Sequence, residues 1–246
     1  MLFVGHIATA FIICYVLSKI LSIKSISFSL VMLLSVLPDI DIAFKLLGID
    51  PGHRTFTHST ILALIVSVAA AFIIQLRKSA ILVYSIAYFT HILIGDILIN
   101  SVNILYPFGV FQLGVGIQLG VGIKFNSLTH IIIEFLPLIG MTAIVIREYF
   151  LYKKGVGDSI LFHHSTLDQI LYIFVILAVI TSFVYLMLNE IKYNALSLDG
   201  KKLLEIRLIL MIILHISAIA IITFIWAISR IDNNKAKLLN NIDQFP

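Results

Sequence analysis

Residues 25–48 read SISFSLVMLLSVLPDIDIAFKLLG, an apolar run of membrane length interrupted by Pro38, Asp39, Asp41 and Lys45. A helix needs about 20 apolar residues to cross a hydrocarbon core. Carboxylates are costly at that depth, and ionisable groups found there usually face a bundle interior or a wet cavity and mark function. Proline removes a backbone donor and kinks or ends a helix. The pattern therefore predicts a helix that stops near Pro38, with residues 39–57 as non-helical backbone lining a cavity. Such backbone is tolerated within a membrane only where protein or water satisfies it.

Further apolar runs cover residues 2–21, 59–76, 79–105, 128–150, 167–189 and 204–229. Together they predict an all-α fold, a polytopic transmembrane bundle of about seven helices. Composition agrees: 60% of the 246 residues are hydrophobic, against about 45–50% in soluble domains, and the mean hydropathy is +1.08. The first run lacks a basic leader and a small-residue cleavage site, so it reads as a retained helix. Cys14 is the single cysteine, which excludes a disulfide framework or a cysteine-based zinc site within one chain. The net charge of +4 is spread over helix ends and points to no nucleic-acid partner; the partner is the lipid bilayer. Placing the first connection in the cytoplasm puts 10 of the 17 Lys and Arg residues inside. This predicts a multi-pass protein of the cell membrane with an outside amino terminus.

Counting about 1.5 Å of rise per residue from each cytoplasmic helix end gives a depth for every buried polar group. His6 falls at about 22 Å, Asp39 at about 20 Å, His58 at about 27 Å, His91 at about 18 Å, Asp96 at about 26 Å and Glu134 at about 24 Å. All lie in one slab in the extracytoplasmic half of a core about 30 Å thick. His and Asp are the donors that borderline divalent metals prefer.

Asp39 and Asp41, two residues apart, can bind one ion, bridge two, or hold a histidine ligand from behind. The segment His53-Arg54-Thr55-Phe56-Thr57-His58-Ser59 reads as entry into the third helix, with Thr57 or Ser59 as its cap. Arg54 is a permanent cation suited to a phosphate or carboxylate. Asp96, Asn100 and Asn103 fall on one helical stripe at i, i+4 and i+7. His91 lies about 140° from Asp96 on a regular α-helix, so joint ligation of one ion needs a bulge at Gly95 or a second metal. His130 and Glu134 share a face at i, i+4, and Glu134 is the better candidate of the two. His215 reads as packing, and His163-His164 falls on the opposite side of the membrane. The tandem Gln112–Ile117 and Gln118–Ile123 repeat reads either as a flap over the cavity or as a duplication in a tolerant loop.

Leu37-Pro38-Asp39-Ile40-Asp41, His53 to Ser59, His91 to Asp96 and Tyr106-Pro107-Phe108 together resemble the YdjM-type family of predicted membrane-bound metal-dependent hydrolases, over about residues 1–140. The resemblance implies a helical membrane domain with a His/Asp metal site and hydrolytic chemistry, carried by Asp39, Asp41, His53, His58, His91 and Asp96. Two departures stand out: the family usually spaces its fourth-helix pair as H-x3-D, one residue closer than His91 and Asp96, and Thr55 stands where Gly is common.

The expected organisation is a membrane-embedded hydrolase-like core over residues 1–150 and a two-helix transmembrane extension over 151–246. The expected function is hydrolysis by water activated at one or two divalent ions, zinc foremost, in an outward-facing cavity, on lipid or phosphoester substrates. The metal donors are Asp39, Asp41, His58, His91 and Asp96, with His6 and His53 as further candidates. Arg54 serves as anion holder and Glu134 as general base. The alternative is a non-enzymatic membrane protein with a structural or transport metal site.

Overall fold

The computed structural model describes residues 3–23, 26–41, 56–73, 78–96, 102–108, 112–113, 128–155, 161, 166–194 and 201–242. They form seven α-helices: α1 (Phe3–Ile20), α2 (Phe28–Val36), α3 (Thr60–Ile73), α4 (Lys78–Thr90), α5 (Leu128–Lys153), α6 (Thr166–Asn194) and α7 (Lys201–Ile242). The extended structure among these residues is a two-residue antiparallel ladder, β1 (Val102–Asn103) with β2 (Gln112–Leu113). Among the described residues, four helical stretches are long and apolar enough to cross a membrane: Phe3–Ile20, Glu134–Lys153, Leu167–Leu188 and Arg207–Ile231. The other three helices are shorter, about 14 to 21 Å at 1.5 Å per residue.

Helix α1 is the axis of the bundle. Within its span 61% of residues are buried, against 22–33% for the other long spans, as expected of a helix that is apolar all round. It packs against α2, α4 and α5, while α6 covers α2 and α7 bridges α5 and α6. The outward faces of α5, α6 and α7 expose Leu136, Ile139, Leu177, Val184 and Ile216, the surface required where the solvent is lipid. Helix α1 closes in a Schellman turn, Ile23 N–H to Ser18 O at 2.9 Å and Ser22 N–H to Lys19 O at 3.2 Å. Ser22 takes the left-handed position with φ 53° that glycine usually fills.

Two buried polar clusters fix the bundle away from the slab. Ser27 caps α2 through Leu30 N–H at 3.1 Å, and the hydroxyls of Ser27 and Ser29 both donate to Asp168 at the start of α6. The Tyr84 hydroxyl accepts from Ser27 N–H at 2.9 Å, so α2, α4 and α6 meet at one point. At the end of α1, the Tyr15 hydroxyl donates to buried Glu148 at 2.5 Å, which also pairs with Lys19 at 3.5 Å. None of these partners was anticipated from the sequence.

Three expectations are corrected. Pro38 ends the α pattern of α2 at Val36, but the chain passes through a 3-10 turn, Leu37–Asp39, and helical backbone resumes at Ile40 and Asp41, so residues 39–41 are not the irregular backbone expected. Proline fits because it sits in the first positions of that turn, where its missing N–H is not needed. The run 79–105 is not one helix, because α4 passes into a π-helix, His91–Asp96, and Val102 and Asn103 are extended. The stripe of Asp96, Asn100 and Asn103 therefore fails at Asn103, which pairs with Gln112, and Asn100 lies outside the described residues.

Candidate metal centre

Four chain segments end or begin at one place. The turn after α2 delivers Asp39. Residue His58 stands immediately before Ser59, which caps α3 by accepting Leu62 N–H at 3.2 Å. The π-helix that ends α4 delivers His91 and Asp96, and the first turns of α1 deliver His6. In a π-helix the bonding is i to i+5, so residues five apart come onto one side. The extra residue between His91 and Asp96 is thus absorbed, and both side chains reach the same point.

The distances are close. His58 Nε2 lies 3.4 Å from Asp39 Oδ1 and 3.1 Å from Asp96 Oδ2. For His91 Nε2 the same separations are 3.4 and 3.2 Å, and the two Nε2 atoms are 3.3 Å apart. Each of the two imidazole nitrogens therefore lies 3.1–3.4 Å from the other and from one oxygen of each carboxylate. Two donors held by one ion in tetrahedral geometry, with bonds of about 2.0–2.1 Å, stand about 3.3–3.4 Å apart. The His6 ring stacks on His91, centroids 3.7 Å apart, and its Nε2 has no hydrogen-bond partner among the described residues. His6, Asp39 and His91 form one set whose donor atoms lie within 4.8 Å of one another, and His58, His91 and Asp96 form a second. All five residues are buried.

Hydrogen bonding fixes the chemistry of the set. His91 Nδ1 lies 2.7 Å from the Ser35 carbonyl oxygen, which can only accept, so Nδ1 carries a proton. In the neutral ring Nε2 then presents a lone pair to His58 and to two carboxylate oxygens, an arrangement a cation satisfies and a histidine ligand is typically oriented for. Two carboxylates balance the charge of one divalent ion. These buried groups could hold a metal ion, and the donor set is one that suits zinc and its neighbours.

The remaining predicted residues fall around this point. Asp41 is outside both sets and lies behind His58: Thr57 Oγ1 is 3.5 Å from Asp41 Oδ2 and 3.0 Å from His58 Nδ1. The Tyr88 hydroxyl donates to the Thr57 carbonyl at 2.5 Å, and Thr60 ties the start of α3 to Ile104 O at 2.9 Å. Ser35 and Tyr88 were not foreseen, and Thr57 was read only as a cap; the Ser35 and Thr57 carbonyls act through backbone that leaves no trace in side-chain pattern. Glu134, buried on α5, accepts Gly5 N–H at 2.8 Å, an otherwise orphaned donor in the first turn of α1. It is outside both donor sets and holds the residue next to His6. His53, Arg54 and His163-His164 lie outside the described residues, as do the His130 side chain and most of the 112–123 repeat. His215 is buried in α7, its Nδ1 2.8 Å from Met211 O.

Residues 1–191 match the YdjM inner membrane protein family. The chain belongs to this family. For a YdjM protein the apolar spans are membrane spans, and the match runs past the 1–140 expected for the resemblance into the far end of α6. No curated protein and no solved structure matches the chain.

Proposed function

We propose that this YdjM protein is a membrane-embedded metal-dependent hydrolase in which Asp39, Asp96, His58 and His91 hold one divalent ion, zinc, with His6 as a further donor. The observation that carries the reading is the pair of buried imidazole nitrogens 3.3 Å apart, each 3.1–3.4 Å from an Asp39 and an Asp96 carboxylate oxygen. A divalent ion held there would supply Lewis acidity, polarising an ester or phosphoester and lowering the pKa of water towards neutrality. Water adds across the scissile bond: its oxygen joins the acyl carbon or phosphorus, and one hydrogen leaves on the released alcohol. Ser35 sets the His91 tautomer, Asp41 and Thr57 orient His58, and Glu134 positions the start of α1 instead of acting as the base. Arg54, four residues before His58, holds the anionic part of the substrate. The positive-inside bias supports a site towards the extracytoplasmic side.

A second reading is a metal staple joining α1 to α4. It is favoured by the four protein donors themselves, since closed tetrahedral shells are typical of structural zinc. Metal analysis of purified protein, with Asp39→Ala and His58→Ala beside it, separates the outcomes. About one ion per chain in the parent and little in either variant is expected. Equal content in all three refutes the centre, and bound metal with no turnover of ester or phosphoester substrates selects the staple.

A further inference from the structure

Asp39 belongs to two features at once. It contributes to the donor set, and it also lines a cavity of about 180 Å³ between the end of α2 and the middle of α6. One wall is Leu33, Leu37 and Ile40, and the other is Phe174 and Ala178. Ile40 and Phe174 are 42% and 53% exposed, and Phe174 belongs to the span Leu167–Leu188, so the cavity opens sideways onto the surface that faces lipid.

Size and chemistry select an occupant. An apolar cavity of about 150 Å³ stays dry and takes a benzene-sized group, whereas sites that enclose a whole small molecule run to about 300–1,000 Å³. This cavity holds a few methylenes, and the rest of the molecule must remain in an apolar medium outside. A membrane lipid meets that condition, since its ester or phosphoester sits a few bonds from the start of its chain. With those first methylenes in the cavity, the polar junction lies at Asp39. A helix of a second copy would instead bring apolar side chains against a carboxylate that serves the centre.

We propose that the cavity between α2 and α6 is the lateral entry and chain-binding site for a bilayer glycerophospholipid, whose head-end ester or phosphoester is thereby presented at Asp39. The substrate class rests on the hydrolase reading above; the binding does not. The test uses the full chain in nanodiscs of phosphatidylethanolamine and phosphatidylglycerol, doped with a phosphatidylglycerol carrying a diazirine on an acyl carbon next to the ester. Mass spectrometry after illumination is expected to find adducts on residues 33–40 and 174–178. Ala178→Trp, which fills the cavity, and Ile40→Trp, at its exposed rim, are each expected to lower that yield about tenfold, the effect of 1.4 kcal/mol, at unchanged metal content. Adducts spread evenly over the outer faces of α5 and α7, or an undiminished yield in both variants, overturn the proposal. Local adducts without lipid turnover uphold the entry site and remove the hydrolase reading alone.

Discussion

Asp96→Asn keeps the shape of the side chain and removes one negative charge from the donor set. Asp96 Oδ2 lies 3.1 and 3.2 Å from the two imidazole nitrogens, which places it about 2.1 Å from an ion they share. At an effective dielectric of about 20, the attraction of a unit charge to a divalent ion at that distance is about 16 kcal/mol before desolvation. If only a fifth of it survives, the loss exceeds the ~2.8 kcal/mol of a hundredfold change in affinity. Free ion at a hundred times the parent dissociation constant stabilises the parent by about 2.7 kcal/mol. That corresponds to about 5–11 °C in Tm for a chain of this size. In the variant the same concentration equals the dissociation constant and contributes about 0.4 kcal/mol, or about 1–2 °C. The assay is thermal unfolding of detergent-solubilised protein with and without chelator, and metal content measured on the same samples. Equal chelator-dependent shifts and equal metal content in parent and variant would refute the assignment of Asp96 as a donor.

Three further outcomes follow from the same geometry. Deleting Ile94 leaves His91 and Asp96 four residues apart, on one face of a regular α-helix, so metal content should persist; inserting an alanine after Leu93 should abolish it, and the reverse ranking in metal analysis would remove the π-helix from the account. Ser59→Ala should cost about 1 kcal/mol through loss of the α3 cap, lowering Tm by about 2–4 °C and weakening metal affinity as well, because His58 is the adjoining residue; an unchanged chelator titration contradicts this. Asp168→Ala removes the acceptor of the Ser27 and Ser29 hydroxyls, which should cost about 1–3 kcal/mol in thermal unfolding while metal content stays at the parent level.

Depth along each helix was legible from the sequence because it needs only a helix end and a count of residues. It brought His6, Asp39, His58, His91 and Asp96 into one slab, and these five do converge. Glu134 shows the limit of that count, since it shares their depth but turns to Gly5 N–H. Depth is one coordinate, and the angle around the bundle axis depends on which helices are neighbours. The His91–Asp96 spacing exposed a conflict with α-helical geometry without deciding it; the π-helix resolved it through backbone hydrogen bonding that side-chain pattern does not encode. Asn103 was misread because a continuous apolar run looks alike in a buried helix and a buried strand. The Ser27–Ser29–Asp168 cluster left a signal that went unused: two serines opening an apolar helix and an aspartate in the first turn of another are both cap-like.

The first turn of α1 has practical weight for anyone handling the protein. Gly5 N–H is held by Glu134, Phe3 lines the lateral cavity and His6 stacks on His91, all within a few residues of Met1. A polyhistidine tag fused ahead of Met1 would bring a string of competing imidazoles close to the His/Asp donor set and would inflate every count of bound metal. Fusion beyond α7 keeps purification chemistry away from the chemistry being measured.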